Sequence, residues 1–396
     1  MKRLLLLTLF LCTLAYGQVP SGYYDSATGT GYALKTQLKQ IIDDVNDGLP
    51  TEFLHTQPGS TNGEAYSLLR NSYSNATSGD VDNYYDAGGN NTILDIYSEN
   101  PSGSDPYNWD RIPPVDYPTQ YCATQTGEGQ CLSREHLIPQ GFFNQLYPMR
   151  ADIHFVVPVD ARVNGFRANN PFGVVTAPTN TFANGSELGP NTYGTYTGTV
   201  YEPIDEFKGD IARMLLYFAV RYEDEVVNMG GSWDAPNAVP ENIMNGTSGQ
   251  FFDDWFIGML CDWHSADPVS QKEIDRNNNN FIHQNNRNPF IDNPNYVADI
   301  WGVEAAPGAC ALLSTPEFNT TTFRIFPNPN NTDVLYYTSD KPLQVKIIDV
   351  VGKVIYSRQK AATDNSINIS SLNNGIYFVQ FTSFTGETIT KKLIKE

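Results

Sequence analysis

The chain has 396 residues, of which 40% are hydrophobic, so it can bury a substantial core and is not a disordered protein. Its formal net charge at pH 7 is −19, from 25 Lys and Arg against 44 Asp and Glu. This balance argues against a generic basic nucleic-acid-binding protein, and its plainest interpretation is solubility.

The first segment has the pattern of a signal peptide. Lys2 and Arg3 give a basic start, an apolar run follows, and Ala15 and Gly17 are small residues at a cleavage site. The run is too short to span a bilayer, and no later run is long enough. We therefore predict a signal peptide over residues 1–17, export of the mature chain and no transmembrane segment.

The mature chain keeps four cysteines, Cys122, Cys131, Cys261 and Cys310. In an oxidising compartment an even set indicates two disulfides, for which three connectivities exist. We favour Cys122–Cys131, because the glycine-rich stretch 126–129 between them can turn back. Cys261–Cys310 then remains, and free buried thiols are the alternative.

An amphipathic helix is predicted first in the mature chain, from apolar residues at helical spacing. They are Leu34, Leu38, Ile41, Ile42 and Val45, and Gly48 and Pro50 end the run.

Two polar stretches, 55–120 and 176–200, are predicted to be mostly loop. In the first, Asn90, Asn91 and Asp95 could bind an ion, although a solvated loop is the preferred interpretation.

Three further helices are predicted in the second half of the chain. Apolar periodicity indicates helices over 208–222 and 254–264. Asp267 and Pro268 are expected to open the third, because proline fits the first helical position. A polar, proline-punctuated loop at 285–294 follows.

Residues 311–322 are interpreted as a linker, and the pattern then changes to period-two strands joined by turns. The clearest strands lie within 345–350, 354–357, 367–369, 375–381 and 389–394.

Nine basic and six acidic residues follow Phe323, a net charge of +3. Without this tail and the signal peptide, 14 basic residues face 38 acidic ones, a net charge of −24.

The stretch from Cys131 to Asn170 carries the clearest chemistry. Hydrolysis of a phosphodiester requires that a water lose a proton and that charge on the phosphate be stabilised. His136 has the intrinsic pKa of a base near neutral pH. Glu135 is a hard oxygen ligand and Asn164 can offer its amide oxygen. This set suits one divalent ion, Mg²⁺ first and Mn²⁺ or Ca²⁺ as alternatives.

The charge around these residues differs from that of the surrounding chain. Between Gln130 and Phe172 there are four arginines (134, 150, 162 and 167) and three acids, so a phosphate could dock here. Adjacent residues on a regular strand point to opposite faces, so Glu135 and His136 can share a site only at a strand end or a bulge. Pro139 disfavours a long paired strand, which supports that arrangement. His154 is interpreted as structural.

Several motifs in order resemble the bacterial endonuclease I family of the ββα-metal (His-Me finger) superfamily. They are Arg134-Glu135-His136, Asp152-Ile153-His154, Val163–Asn170, Lys208–Arg213, Trp263–Val269, Arg276-Asn277 and Asn286–Asp292, within residues 20–303. The resemblance implies hydrolysis of DNA, and often RNA, with little sequence preference and one divalent ion.

Position by position, the resemblance implies that His136 is the general base and that Glu135 and Asn164 are the metal ligands. Asn164 would lie on the helix of the ββα unit. Some members carry a phosphate-stabilising arginine in a long insert after the catalytic histidine, but here the spacing from His136 to Asp152 is short. Arg167 and Arg134 are the candidate substitutes.

The tail resembles a C-terminal sorting domain of the type IX secretion system, on Phe323–Pro329, Gly352-Lys353, Ile367–Phe378 and Lys391–Ile394. This implies passage across the outer membrane of a Gram-negative bacterium, with the tail removed or exchanged for a surface anchor. A carbohydrate-binding β-sandwich is the alternative, disfavoured because no exposed aromatic platform is evident.

The predicted architecture is α+β. A mainly helical, loop-rich nuclease domain (18–310) surrounds a ββα-metal motif, and a linker (311–322) leads to a small all-β sandwich (323–396). We predict a monomeric, metal-dependent, non-specific endonuclease acting on DNA or RNA, secreted or held at the outer-membrane surface. The alternatives are a phosphodiesterase acting on RNA or small nucleotides and a surface adhesion protein with a degenerate nuclease fold.

Overall fold

The computed structural model describes residues 19–43, 67–85, 92–111, 125–225, 243–304, 310, 324–338, 343–350, 353–360, 365–383 and 388–396. The chain forms two compact units, Met1–Leu313 and Ser314–Glu396. The predicted signal peptide, the linker and Cys122 lie outside the described residues. Among the helices in these ranges, none is both long and apolar enough to cross a membrane.

The N-terminal unit combines helices with short antiparallel sheets, in agreement with the predicted α+β class. Its described helices are α1 (Gly31–Ile42), α2 (Ser67–Ser74), α3 (Ala161–Arg167), α4 (Lys208–Arg221), α5 (Asp254–Ala266), α6 (Gln271–Gln284), α7 (Pro289–Asp292) and α8 (Tyr296–Glu304). Its strands are β1 (Leu132–His136), β2 (Val156–Asp160), β3 (Asn180–Thr181), β4 (Glu187–Pro190) and β5 (Thr199–Glu202). Short 3-10 helices cover Gln140–Phe143, Met149–Ala151 and Asp205–Phe207.

Helix α4 lies at the centre of this unit and is buried on nearly every side. Phe218 of α4 packs against Phe155 and against Tyr222, each with ring centroids 4.8 Å apart. Burial of one such aromatic side chain contributes about 1.5–3 kcal/mol. Since Phe155 directly precedes β2, this packing fixes the entry to that strand.

Strands β1 and β2 form a two-stranded antiparallel sheet. Their register runs from Leu132 opposite Asp160 to His136 opposite Val156, with no bulge. A separate three-stranded sheet has the order β3-β4-β5.

Several elements differ from the sequence-based predictions. Helix α7 lies in the stretch 285–294 predicted to be a loop, and β3 and β4 lie in the stretch 176–200 predicted to be mostly loop. Helix α6 begins at Gln271, so the predicted start at Pro268 is wrong. Ser270 and Glu273 form a capping box, in which each side chain accepts a hydrogen bond from the other residue's backbone N–H. Helix α2 lies inside the stretch 55–120 predicted to be mostly loop. It was not predicted because its eight residues are too few to show a clear helical period.

One predicted disulfide is confirmed. Cys261 of α5 is bonded to Cys310, with their Cα atoms 5.4 Å apart. Cys131 is also disulfide-bonded, but its predicted partner, Cys122, lies in the part of the chain without a structural description.

The C-terminal unit is all-β in its described part. Its strands are β6 (Ile325–Phe326), β7 (Val334–Tyr337), β8 (Leu343–Asp349), β9 (Val354–Lys360), β10 (Ser366–Asn368), β11 (Gly375–Ser383) and β12 (Thr388–Lys395). Period-two patterning predicted β8 to β12 correctly but did not locate β6 and β7. The sheets have the orders β12-β11-β8-β9 and β10-β7-β6. Along β11, buried Tyr377, Val379 and Phe381 alternate with exposed Ile376 and Phe378, as expected of a sheet with one face on a core.

The expectation that this unit has no exposed aromatic platform is wrong. Phe326 and Tyr336 are cross-strand partners on β6 and β7, and they are 47% and 45% exposed. Their rings stack with centroids 5.9 Å apart. The reason for disfavouring a carbohydrate-binding β-sandwich therefore does not hold.

Candidate functional site

The residues predicted to carry the chemistry lie on β1 and on the helix that follows β2. Asp160 is the last residue of β2 and the N-cap of α3, where its carboxylate accepts hydrogen bonds from the backbone N–H groups of Arg162 and Val163. The cap makes the chain turn directly from strand to helix. Asn164 is thereby placed beside the strand that bears Glu135 and His136.

Glu135 is 2% exposed, and its carboxylate contacts the guanidinium of Arg167 and the phenol of Tyr97. Its Oε1 is 3.1 Å from a guanidinium nitrogen of Arg167 and accepts a 3.0 Å hydrogen bond from the hydroxyl of Tyr97. Burial raises the pKa of the Glu135 carboxyl, while Arg167 and the Tyr97 hydrogen bond oppose this shift. No donor among the described residues is hydrogen-bonded to Oε2, so this oxygen remains available for a cation.

His136 is 5% exposed at the end of β1. Its Nε2 lies 3.0 Å from the backbone carbonyl of Arg150. A carbonyl only accepts hydrogen bonds, so Nε2 carries the proton and Nδ1 carries the basic lone pair. Burial, together with the charges of Arg134, Arg150 and Arg167, lowers the pKa of His136 to about 4, although the hydrogen bond with the Arg150 carbonyl opposes this shift. The ring is therefore neutral at pH 7.

Asn164 is held to β1 through its amide nitrogen. Nδ2 donates to the hydroxyl of Ser133 at 3.0 Å and to the carbonyl of Arg134 at 3.4 Å. These bonds fix which amide atom faces the strand, and Oδ1 is left with no hydrogen-bond donor in the described part of the chain. Since Ser133 and Glu135 are two residues apart on a regular strand, Asn164 lies over the face that bears Glu135.

The two arginines proposed from sequence have different surroundings. Arg167 is 2% exposed, and it donates to the carbonyls of His136 at 3.2 Å and of Leu137 at 2.6 Å while pairing with Glu135. Arg134 is only partly buried, and its charge acts on the ring of His136.

The structure thus gathers the predicted residues at one strand end but on two sides of it. Glu135, Asn164 and Arg167 lie on the side of α3. His136 has Phe143 and Phe155 as ring neighbours, at centroid distances of 6.2 and 6.3 Å. No bulge is present, and the position of His136 as the last residue of β1 satisfies the strand-end condition.

Sequence reasoning did not assign roles to Tyr97 and Arg150. Tyr97 comes from the stretch predicted to be mostly loop, where no local pattern marked it. Arg150 belongs to the local arginine surplus, which was the available signal.

Asp95, considered above as an ion ligand, is buried. It accepts hydrogen bonds from the N–H groups of Tyr97, Trp109 and Asp160. Burial raises its pKa to about 7. These contacts favour a structural role, in which Asp95 connects Tyr97 to the junction of β2 and α3.

A group of three carboxylates also went unnoticed in the sequence. Oxygen atoms of Asp82, Glu99 and Asp105 lie within 4.8 Å of one another, close enough to surround a metal ion. Like charges this close are unfavourable without a cation or a proton between them. The three residues are scattered along a polar stretch, so their spacing carries no signal.

Comparison with known proteins agrees with the sequence resemblances. Residues 30–295 match the Endonuclease I family, and residues 324–396 match the secretion system C-terminal sorting domain.

Curated relatives of the chain include two named extracellular ribonucleases. The protein from Bacillus amyloliquefaciens is 36% identical over 175 residues, which cover 43% of this chain and 53% of that protein. The one from Bacillus subtilis is 33% identical over 174 residues, covering 43% and 54%. A third relative, beta-agarase D from Zobellia galactanivorans, is 32% identical over 75 residues, or 19% of this chain and 15% of that protein. The chain thus spans little more than half the length of the two ribonucleases.

The Endonuclease I match covers well over half of the chain and includes every residue of the site at the end of β1. The chain belongs to the Endonuclease I family and ends in a secretion system C-terminal sorting domain.

Proposed function

We propose that this protein is an exported, divalent-metal-dependent endonuclease that hydrolyses phosphodiester bonds of DNA or RNA with little sequence preference. The observation that carries the proposal is the donor pattern at the end of β1. Glu135 and Asn164 each have one polar atom anchored by neighbours and one oxygen to which no described residue donates a hydrogen bond. A neutral histidine, His136, follows Glu135 at the strand end.

His136 is the general base of this proposal. Its Nε2–H is engaged by the Arg150 carbonyl, so Nδ1 is the atom that takes a proton from the attacking water. A buried histidine with a pKa of about 4 is a weak base, but it is deprotonated throughout the neutral range. Burial first, and then the nearby arginine charges, keep it deprotonated.

Glu135 and Asn164 fit one hard divalent ion, with Mg²⁺ as the first choice and Mn²⁺ or Ca²⁺ as alternatives. Glu135 Oε2 and Asn164 Oδ1 would hold it, because Asn164 of α3 lies over the face of β1 that bears Glu135. The ion would supply positive charge to the phosphate oxygens in the transition state. Together with Arg167, it would also compensate the buried carboxylate of Glu135. These residues of β1 and α3 thus suit the divalent metal ion that is expected of the family.

Arg134 and Arg150 are the arginines best placed to meet the phosphate. Both charges act on the His136 ring, and both side chains are partly exposed. A guanidinium fork matches phosphate geometry. Arg167 remains an untested candidate, and its burial against Glu135 favours a role in holding that carboxylate.

The tail supports export. A secretion system sorting domain implies secretion or attachment at the cell surface, and we propose the type IX route of a Gram-negative bacterium. We further propose that the mature protein is a monomer and that residues 1–17 are removed as a signal peptide.

RNA deserves equal weight with DNA as the substrate, because the two matched Bacillus proteins are named ribonucleases. The non-enzymatic alternative, an adhesion protein with a degenerate nuclease fold, is disfavoured because Glu135, His136 and Asn164 are all present.

The test is cleavage of plasmid DNA, linear DNA and RNA by the purified protein, with Mg²⁺, Mn²⁺ or Ca²⁺ and with EDTA. We expect cleavage that EDTA abolishes. His136→Ala should lower kcat at least about 100-fold without unfolding the protein, because a positioned base contributes about 10²–10⁴ in rate.

The matched control is His283→Ala, at a partly buried histidine of α6 outside the site. It should cleave like the wild type. Full activity of His136→Ala would remove the proposed mechanism, and EDTA-insensitive binding without cleavage would favour the adhesion protein.

A further inference from the structure

One face of α6 carries a stripe of buried polar side chains that the proposed mechanism does not use. Arg276, Asn280 and Gln284 are spaced four residues apart, so they lie in a row along the helix. All three are buried. Buried polar groups are costly unless they are hydrogen-bonded, so their partners show what the row holds in place.

The row binds the backbone of residues 152–156. Arg276 donates from Nη2 to the carbonyls of Ile153 at 2.5 Å and Val156 at 3.3 Å, and from Nη1 to that of His154 at 3.4 Å. Its Nε donates to Asp80 at 2.6 Å. One guanidinium therefore binds three backbone carbonyls within four residues, and the Asp80 carboxylate balances its charge.

Asn280 and Gln284 add hydrogen bonds near the start of the same segment. Asn280 Nδ2 donates to the Ile153 carbonyl at 3.1 Å, and Gln284 Oε1 accepts from the Ile153 N–H at 2.9 Å. Gln284 Nε2 donates to the Asp152 carboxylate at 2.7 Å. Both backbone groups of Ile153 are thus bound by side chains of α6.

The segment that the row holds borders His136 on two sides. Immediately before it, Arg150 presents the carbonyl that accepts from His136 Nε2. At its end, Val156 is the strand partner of His136, and Phe155 packs near the His136 ring. A displacement of this segment would move the carbonyl that selects the tautomer of the base.

We propose that Arg276, Asn280 and Gln284 are positioning residues of the nuclease site, which fix residues 152–156 and thereby hold the His136 ring with its proton on Nε2 and its lone pair on Nδ1. The inference rests on the proposed function of His136 as the base. The residues act through the backbone, since they contact neither the base nor the expected metal ligands.

The test replaces single members of the row with side chains of similar size that cannot hydrogen-bond. Gln284→Met removes two bonds to the segment, and Asn280→Leu removes one. In Asn280, Oδ1 is buried and has no hydrogen-bond partner among the residues that the structure describes. Its loss therefore offsets part of the destabilisation, and this variant should fold. The matched control is Gln271→Met, the same change at an exposed glutamine of the same helix.

Two measurements are made on the full-length protein. The first is NMR of ¹⁵N-labelled histidine rings, assigned by comparison with His136→Gln. The wild type and Gln271→Met should show His136 as the Nε2–H tautomer, and the two row variants should show a mixture. The second is steady-state cleavage, in which the row variants should lose about 10- to 100-fold in kcat at unchanged KM, because small misplacements of a catalytic group cost this much.

The two readouts separate the failure of this inference from the failure of the proposed function. An unchanged His136 tautomer in the folded row variants overturns the positioning role, whatever their activity. Should His136→Gln itself cleave at the wild-type rate, the proposed base is wrong, and the tautomer shift would still stand as a structural effect of the row.

Discussion

At the scale of single residues, the buried ion pair of Glu135 and Arg167 determines how charge is balanced in the site. Both side chains are nearly inaccessible to water, and their charged atoms are 3.1 Å apart. Each compensates the desolvation of the other, so removal of one partner leaves an unpaired buried charge.

Arg167→Met should therefore lower the free energy of unfolding by about 3–5 kcal/mol, measured by urea denaturation. The double variant Arg167→Met with Glu135→Gln should recover part of this loss, because no charge is then left unpaired. If Arg167→Met kept wild-type stability and instead weakened nucleic-acid binding, Arg167 would be the phosphate contact that the sequence suggested.

His154 gives a pH dependence with a definite sign. Burial lowers its pKa to about 4, below its ordinary value of 6.5, and its Nε2 lies 3.0 Å from the Asn286 carbonyl. Between these pH values the unfolded chain binds more protons than the folded one. The stabilisation from neutral His154 is thus complete above about pH 6.5 and is lost as the pH falls toward 4.

We expect the free energy of unfolding to fall between pH 7 and pH 4.5, and to fall less steeply in His154→Gln. Urea titrations of both proteins at several pH values measure the two slopes. Equal slopes would mean that His154 does not stay neutral in the folded protein.

At the scale of secondary-structure elements, the disulfide between Cys261 and Cys310 connects helix α5 to the chain that follows α8. The two cysteines are 49 residues apart in sequence. A cross-link of this span removes much conformational freedom from the unfolded chain, and neither cysteine is a residue of the proposed site.

The double substitution Cys261→Ala with Cys310→Ala should lower the free energy of unfolding by about 2–4 kcal/mol. Cleavage at 25 °C should be unchanged, because β1, β2 and α3 do not depend on this link. Thermal denaturation and kcat measure the two effects. A large loss of kcat in the folded variant would show that the disulfide also supports the site.

At the scale of the whole molecule, the chain consists of two units with separate hydrophobic cores. One core includes the buried residues of α1, α4 and α5, and the other is formed by Leu335, Val345, Val379, Phe381 and Leu393 with their neighbours. The site at the end of β1 lies wholly within the first unit. Each unit therefore has the internal packing needed to fold independently.

Residues 19–313 alone should cleave nucleic acid with the kcat of the longer chain, because no residue of the proposed site belongs to the tail. Calorimetry should show two transitions for the full-length protein and one for the shorter chain. Loss of cleavage in a folded 19–313 fragment would mean that the tail contributes to substrate binding.

Much of this architecture was accessible from local pattern. Apolar spacing located α1, α4 and α5, and alternation located the strands of the tail, because burial on one face imposes a period on the sequence. Motif order is the basis on which Glu135, His136 and Asn164 are proposed as the residues with chemistry. The start of α6 was misplaced because the capping residue, Ser270, prevailed over the proline signal at Pro268.

Sequence alone was sufficient for the family. It is also the source of the predicted domain boundaries and of the proposed base and ligands, since these depend on residue type and short spacing. The tertiary structure determined which atoms are available. Arg150, 14 residues from His136 in the chain, supplies the carbonyl that selects the imidazole tautomer. Tyr97 and the row on α6 likewise reach the site only through long-range contacts, which no local spacing records.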